Sequence, residues 1–379
     1  MKVLFVASVF YHLTTFHVPY MRLLQSKGYE VWAAADGNSE LKALLEEKGV
    51  RCINVAFSRS PLSASNFKAY QQMKQLLREQ EFELVHVHTP VAAFLTRLAF
   101  SGQKKGKILY TAHGFHFYEG APKKNWYIFY NAEKMARKWT DGLIVMNSED
   151  HRNAMKLGFR KDEVFYVHGV GVDIPNYSKS DSEIERIKKE LDIKPDSLII
   201  SFVAELNDNK NHQFLLRNWK VIVEECPRAV LLLIGTGDKE AEWRQYIEDN
   251  KLLNVKVLGY RNDVPEILKV TDIVTLLSKR EGLPKSIMEA MAYKIPCIVT
   301  DTRGLRDLIN DGENGFVVPH EDDVRIQQAF IDMLQDVKLR QSMGERGYEL
   351  VQPYAIDRVL KEYELIYRKY LNFNSIEKE

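Results

Sequence analysis

The chain has 379 residues, of which 45% are hydrophobic and 28% charged, and a formal net charge of +1. That is enough chain for two domains with full cores, and a near-neutral balance gives no reason to expect a nucleic-acid partner. The charge is unevenly spread: residues 1–175 carry 23 Lys and Arg against 16 Asp and Glu, and eight of the ten histidines lie there. A basic half suits an anionic surface or substrate, with ordinary solvation as the alternative.

In chain order, Val3–Ser8 reads as a first strand, being too short for a secretory signal and followed almost at once by His12. The loop expected after it, Phe10 to His17, lies at a strand's carboxyl end. Its aromatics, with His12, Thr14 and His17, suit an acceptor pocket; a loop packed over the sheet is the equal alternative. Further strands are expected at Glu30–Ala34, Leu84–His88, Lys107–Thr111, Gly142–Met146 and Val164–His168. Helical periodicity separates them at Val18–Ser26, Leu41–Glu47, Asn66–Glu79, Val91–Phe100 and Trp126–Trp139. The strand at Lys107–Thr111 runs into Thr111-Ala112-His113-Gly114-Phe115-His116-Phe117. His113 or His116 there is placed to meet a substrate, because open parallel sheets bind ligands at the carboxyl ends of their strands. No third ligand is spaced with them, so no metal site is expected.

Gly169, Gly171 and Pro175 mark a boundary, and a charged helix at Asp181–Leu191 follows. The second series of strands is Leu198–Ala204, Ala229–Ile234, Val255–Gly259, Asp272–Ser278, Cys297–Thr300 and Gly315–Val318. Helices are expected at Asn211–Glu225, Glu240–Asn250, Ser286–Tyr293 and Val324–Gln335, with a long amphipathic helix, Ala355–Tyr370, and a frayed tail, Ser375–Glu379, to end. Strands apolar on both faces and alternating with helices imply parallel sheets covered on both sides. Twelve are too many for one ordinary open sheet, so two doubly wound domains are expected.

Chemistry concentrates in the second series. In Glu281-Gly282-Leu283-Pro284-Lys285-Ser286-Ile287-Met288-Glu289, Gly282 and Pro284 end a strand, and Pro284 suits the first turn of a helix. The free N–H groups of a helix start make a phosphate site. Glu281 just outside and Glu289 one turn inside can each hold hydroxyl groups, so the nine residues read as a nucleotide-sugar site. The alternative is a surface Glu and a helix-stabilising Glu. Lys210, in the turn after Leu198–Ala204, is placed to put a point charge on a leaving diphosphate. Gly235-Thr236-Gly237 permits close backbone approach, but it lacks the third glycine of a dinucleotide fingerprint. No Asp-x-Asp occurs, so no divalent-metal clamp for a diphosphate is expected. Cys52, Cys226 and Cys297 are dispersed among apolar neighbours and read as reduced thiols of a cytoplasmic protein. No apolar run reaches a membrane span.

The set Glu281-x7-Glu289, Lys210, Gly235-Thr236-Gly237 and His113 resembles the family 4 glycosyltransferases, retaining enzymes of the GT-B fold. The likeness covers nearly the whole chain and is most specific from Glu281 to Pro319. Thr111–Phe117, Glu205–Asn211 and Gly259–Val264 are similar to bacterial capsule and exopolysaccharide (biofilm matrix) transferases. The resemblance implies an α/β architecture of two doubly wound, Rossmann-like domains facing across a cleft. Residues 1–175 would bind the acceptor and 176–354 the donor, with 355–379 a helix crossing back to the first domain. It implies Lys210, His113 and Glu281 as catalytic. Glu289 would hold the ribose, and Gly282, Leu283, Pro284, Lys285 and Ser286 the diphosphate. Gly235, Arg261 and Glu205 would complete the donor site, and His12, Thr14, His17 and His116 would meet the acceptor. The donor is expected to be a UDP-linked hexose or N-acetylhexosamine, used without a metal or other cofactor. The acceptor is expected to be a lipid-linked glycan at the inner face of the cell membrane, with other polysaccharide-assembly proteins as further partners. Much of the family has Arg where Glu205 stands, leaving Lys210 to meet the phosphate charge nearly alone. Two rival readings are a non-catalytic donor-binding or assembly subunit and a sugar-nucleotide epimerase of the same fold.

Overall fold

The computed structural model describes residues 1–103, 105–175 and 180–373. Lys104, residues 176–179 and residues 374–379, which include the expected frayed tail Ser375–Glu379, lie outside the described residues. The chain forms two compact units, Met1–Val170 with Asp357–Glu379, and Gly171–Ile356. The divides drawn from sequence at 175 and 354 therefore shift by a few residues, for a local reason. Val172 donates to Tyr354 O at 3.0 Å and Ile356 donates to Val172 O at 2.9 Å, fastening residues 171–172 to the second unit. A Cβ on Gly171 would lie 2.9 Å from the Ile356 Cα, so only glycine permits this approach.

The first unit holds β1 (Lys2–Val9), β2 (Glu30–Asp36), β3 (Arg51–Asn54), β4 (Leu84–His88), β5 (Lys107–Ala112), β6 (Gly142–Val145) and β7 (Val164–Tyr166). All pair in parallel, in the order β3-β2-β1-β4-β5-β6-β7. The second holds β8 (Leu198–Val203), β9 (Ala229–Ile234), β10 (Val255–Gly259), β11 (Ile273–Leu276), β12 (Cys297–Thr300) and β13 (Gly315–Val318). These too are parallel, in the order β10-β9-β8-β11-β12-β13. The central strands are buried along almost their whole length, which helices on both faces require. Leu4, Val6, Val85, Val87 and Ile108 lie in one core, and Ile199, Leu232, Ile234 and Ile267 in the other. Each sheet reverses its winding once, between β1 and β4 and between β8 and β11.

One strand and several helices were not legible from periodicity. β3 is a four-residue edge strand, Arg-Cys-Ile-Asn, with no fully buried residue. The expected first loop is a helix, Phe10–Phe16, that leaves β1 without a connection and buries Phe10 and Leu13. The helix Ser148–Lys156 buries Glu149, Asp150 and Asn153 where an apolar stripe was sought. Val264–Val270 and Val337–Val351 are also helical. The helix expected over Asn211–Glu225 is two helices, His212–Leu216 and Trp219–Glu225. Between them the Asn218 side chain donates back to Phe214 O. The path from Lys123 to Trp139 is helical but changes winding, with a π-helical stretch at Trp126–Tyr130. Among the described residues no helix is long and apolar enough to cross a membrane.

The basic excess of residues 1–175 does not gather into one patch among the described residues. Lys107 opens β5 and pairs with Asp141 at 2.8 Å, and Lys105 pairs with Glu81 at 3.1 Å. Lys123 and Lys124 lie in a separate short helix, after the loop that leaves the other end of β5.

The last helix, Ile356–Tyr370, packs on the first unit's sheet. Tyr367 Oη bonds His86 Nδ1 at 3.0 Å, and Tyr370 Oη donates to Asp141 O at 3.0 Å. A Cβ on Gly142 would lie 2.6 Å from that Tyr370 oxygen, so the first residue of β6 has no room for a side chain. Glu362 takes the His168 N–H at 3.0 Å and meets His168 Nδ1 at 2.5 Å. That hydrogen bond raises the His168 pKa above its ordinary value, against the opposing effect of burial. Stability from this pair is therefore fully present below the unfolded pKa of about 6.5 and is lost as pH rises through the higher native value. Because the side chains are 34% and 29% exposed, the effect should stay near or below about 1 kcal/mol. Glu362→Gln should keep the backbone bond yet lose this pH dependence. Urea midpoints of the two proteins at pH 6 and pH 9 test this; a midpoint difference between the two pH values that is unchanged by the substitution refutes it.

Candidate active site

In the second unit, the loops that leave β8, β9, β10, β11 and β12 supply the residues in question, all at carboxyl ends of parallel strands. β11 stops at Leu276, and residues 277–284 lead into the helix Lys285–Ala292. Pro284 is its N-cap and not its first helical residue, and no side chain caps the first turn. The backbone N–H groups at that end remain available to an anion.

Beside this helix start the structure brings two distant residues together. Lys210 Nζ lies 2.6 Å from Glu281 Oε1, and both side chains are mostly buried. The two loops are tied at the backbone as well. Lys279 N donates to Asn209 O at 2.8 Å, and the Asn209 side chain donates to Arg280 O at 3.0 Å. Lys210 N is held by the Asn207 side chain at 3.1 Å, and Asn211 adopts a left-handed backbone that turns the chain into the next helix. The result is a cation with an adjoining carboxylate, next to a helix N-terminus. It can bind a diphosphate and accept hydroxyl protons from whatever the diphosphate carries.

Glu289, in the second turn of the helix, is engaged by Lys285 through one carboxylate oxygen, Oε1, at 2.5 Å. Gly235 has φ +140°, and a Cβ there would lie 2.0 Å from Ala204 O. Gly237 likewise presses on Leu206, so the glycine loop braces the loop that carries Glu205 and Lys210. Glu205 itself is exposed. Arg261 makes two bonds to Asp263, at 2.7 and 2.5 Å, and neighbouring Tyr260 is largely exposed.

Sequence reasoning passed over Thr302, Arg303 and Gly304, just beyond β12. Thr302 donates to Ser278 O, and buried Arg303 donates from Nε to Glu281 O at 3.0 Å. A Cβ on Gly304 would lie 2.1 Å from Gly282 O. This turn sets the backbone of the Glu281 loop. Its position after a core strand was the available signal.

In the first unit, His12, Thr14, His17 and His116, expected to meet the acceptor, do not form one surface. Thr14 donates its hydroxyl to carbonyls of its own helix. His17 is fully buried and stacks on His88 with ring centroids 3.8 Å apart, so it is out of an acceptor's reach. His12 and His116 do line one cavity of about 440 Å³, together with Ser8, Arg59, Thr89 and Pro90. It sits where the winding reverses between β1 and β4. Thr89 has φ +61°, a strained value for a β-branched residue, and its hydroxyl bonds Ser8 N at 2.9 Å. The His113 loop is set from the polar helix Ser148–Lys156: buried Asp150 accepts the Phe115 N–H at 3.1 Å.

His113 is not paired with His116. It lies with His12, His17 and His88, and ligand nitrogens of all four are within 4.8 Å of one another. The expectation that no further ligand accompanies His113 fails here, because residues 76 positions apart in sequence are joined by neighbouring strands. Burial lowers the pKa of each: His12 falls to about 4, and His17, His88 and His113 lie well below the ordinary value. Mutual repulsion within the group adds to the effect on the last three, and Arg59 to that on His12.

Residues 183–350 match the family of glycosyl transferases group 1, and residues 2–147 match the glycosyl transferase 4-like family. The chain is 34% identical to the glycosyltransferase-family protein EpsD of Bacillus subtilis over 100% of this chain and 99% of that one. It is 27% identical to an Escherichia coli UDP-Gal:alpha-D-GlcNAc-diphosphoundecaprenol alpha-1,3-galactosyltransferase, over 72% of this chain and 71% of that one. Among solved structures, Anabaena Alr3699/HepE in complex with UDP and glucose superposes with a TM-score of 0.80 at 18% identity, covering 97% of this chain and 100% of that one. The chain belongs to the group 1, GT4-like glycosyltransferases of the GT-B fold, in the company of bacterial exopolysaccharide enzymes.

Proposed function

We propose that the protein is a retaining transferase that moves a hexose or N-acetylhexosamine from UDP to a lipid-linked glycan during extracellular or capsular polysaccharide synthesis. The observation that carries this reading is the Lys210–Glu281 pair at 2.6 Å beside the uncapped start of the helix Lys285–Ala292. It is supported by the UDP and glucose bound in the Anabaena structure and by the UDP-galactose and diphosphoundecaprenol in the Escherichia coli relative's name.

In this reading the bond between the anomeric carbon and the diphosphate oxygen breaks while charge grows on the diphosphate. Lys210 and the helix N–H groups stabilise that charge, and they are already in place when it develops. Glu281 holds donor hydroxyls and keeps the ammonium aimed. Retention requires the acceptor oxygen to enter on the face the diphosphate leaves. The departing phosphate oxygen is then the nearest base for the acceptor's proton, and no carboxylate pair is needed as nucleophile and acid. Glu289 holds the ribose, and His113 contacts the donor sugar.

The roles of the two carboxylates are separable. Glu281→Ala should lower turnover by about 10²–10³ while UDP still binds; Lys210→Ala should lower turnover at least as much and also weaken UDP, whose diphosphate it meets. Glu289→Ala should weaken binding of UDP itself. Calorimetry with UDP and rate measurements on the three variants decide this: equal UDP affinities in wild type and Glu289→Ala remove the ribose role, and, of the two carboxylates, a loss confined to Glu281→Ala reverses the assignment.

The phosphate charge is met by Lys210 and a helix end, so transfer should need no divalent ion at the diphosphate. Activity should survive EDTA treatment and assay without Mg²⁺ or Mn²⁺. Activity that EDTA abolishes and Mg²⁺ or Mn²⁺ restores overturns this.

A lipid-linked acceptor asks for a cytoplasmic protein that docks on the membrane. Leu62, Phe67, Tyr127 and Ile128 are exposed, at 97%, 71%, 77% and 54%. Pro61, Asn66 and Ile128 line a largely apolar groove of about 220 Å³, so the four residues border one surface, and exposed Lys123 and Lys124 adjoin it. Each lysine contributes about 1 kcal/mol near an anionic bilayer, screened over about 8 Å at physiological salt. The protein should float with anionic but not neutral vesicles, and less at high salt. Combining Lys123→Gln and Lys124→Gln with Tyr127→Ser and Ile128→Ser should abolish flotation; unchanged flotation of that variant refutes docking by this surface.

A further inference from the structure

Four histidines of the first unit converge, and several of their nitrogens lack the partners that buried imidazoles need. His12 follows β1, His17 ends the helix Phe10–Phe16, His88 ends β4, and His113 follows β5. Candidate ligand nitrogens, one from each, lie within 4.8 Å of one another. His12 Nε2, both nitrogens of His17, and His88 Nε2 are buried with no hydrogen-bond partner. Their neighbour His86 differs: its nitrogens meet Tyr367 Oη at 3.0 Å and Thr111 Oγ1 at 2.7 Å. His212, in the second unit, also has both nitrogens unpartnered, but it stacks alone on Phe202. An orphaned nitrogen by itself is therefore not a ligand set. Convergence of four residues is what sets this group apart, and it is the one such group among the described residues.

We propose that His12, His17, His88 and His113 form a binding site for a late first-row divalent cation, Zn²⁺ above all. The donor set fits that class. Neutral imidazole suits Zn²⁺, Co²⁺ and Ni²⁺, whereas Mg²⁺ and Mn²⁺ prefer oxygen. A tetrahedral zinc with Zn–N near 2.05 Å places its nitrogens about 3.3 Å apart. His113 Nε2 and His88 Nδ1 stand at 3.3 Å already. The other edges close by rotation of rings that no hydrogen bond restrains, with the His17–His88 stack opening as they turn. An entry path exists, since His12 lines the 440 Å³ cavity and His113 is half-buried. All four residues belong to the first unit, whereas Lys210 belongs to the second. The consequence of the site rests on the proposed role of His113: a bound metal takes the nitrogen offered to the donor sugar, so Zn²⁺ should inhibit transfer.

The test is titration of the EDTA-treated, buffer-exchanged full chain with Co²⁺, read by its visible absorption. One equivalent with the strong bands of a tetrahedral nitrogen site, displaced by Zn²⁺, is expected. His12→Gln, at the cavity wall, and His113→Gln should each weaken binding by more than the roughly 10- to 100-fold that losing an outer partner costs. His212→Gln should bind as wild type. Far-UV circular dichroism without metal checks that each variant is folded. His12→Gln and His113→Gln form a pair, so the site is still tested if one fails to fold. Absence of bound metal, the weak spectrum of a six-coordinate surface ion, or affinity that neither substitution changes overturns the site. Binding without inhibition of transfer leaves the site standing and removes the sugar contact from His113. No binding by an active enzyme removes the site alone.

Discussion

The reversal of winding in each parallel sheet is the constraint on which the rest depends. Where neighbouring strands send their chains in opposite directions, the loops at their carboxyl ends part and leave a crevice. In the second unit this occurs between β8 and β11. The loop from β8 carries Lys210, the loop from β11 carries Glu281, and the pair meets at 2.6 Å across the gap. Two oppositely charged groups this far from bulk water need each other. Removing either leaves a poorly solvated charge, which is more costly than the pair is favourable. Hydrogen bonds from the Asn209 and Arg303 side chains to the Arg280 and Glu281 carbonyls hold the geometry that the ion pair exploits. The cation is thus oriented beside the helix start in advance, which is the preorganisation that the proposed reaction calls for.

The first unit repeats the topology with different chemistry. Its reversal lies between β1 and β4, and the crevice there holds His12, Arg59 and Thr89 in place of an ion pair. Strain concentrates at the same point. Thr89 keeps a positive φ because its hydroxyl bridges to Ser8 on the neighbouring strand, so the turn is fixed by both sides of the crevice. The last helix reinforces this sheet from below the histidines, through Tyr367 on His86 and Tyr363 against Tyr20.

Much of the fold was legible because it rests on local pattern. Central strands such as β1, β4 and β9 are runs of apolar residues bounded by turns, and both faces of a covered parallel sheet ask for that run. The helices Val18–Ser26 and Ser65–Glu79 carry one apolar stripe each. What escaped were elements whose burial is not apolar or not complete. β3 sits at an edge with its polar ends in water. The helix Ser148–Lys156 turns Glu149 and Asp150 inward, because they cap backbone N–H groups of the loop leading from His113. That is a tertiary demand written on a helix that looks solvent-facing. The donor motif was legible for a different reason: Glu281, Gly282, Pro284 and Glu289 are contiguous, so the turn and the helix start are specified in one stretch.

The sequence by itself therefore determined the class of fold, the alternation of strand and helix, and the run of residues from Glu281 to Glu289 that starts a helix beside two carboxylates. These depend on interactions within a few residues of one another. The tertiary structure alone decided which distant groups meet. It paired Lys210 with Glu281 across 71 positions and placed Arg303 under the same loop. It also separated the basic residues of the first unit to the two ends of β5 and drew His12, His17, His88 and His113 into one group. The physical reason is common to all four. Strand order in a parallel sheet is not the order in sequence, and adjacency across the sheet, not spacing along the chain, sets which side chains share a crevice.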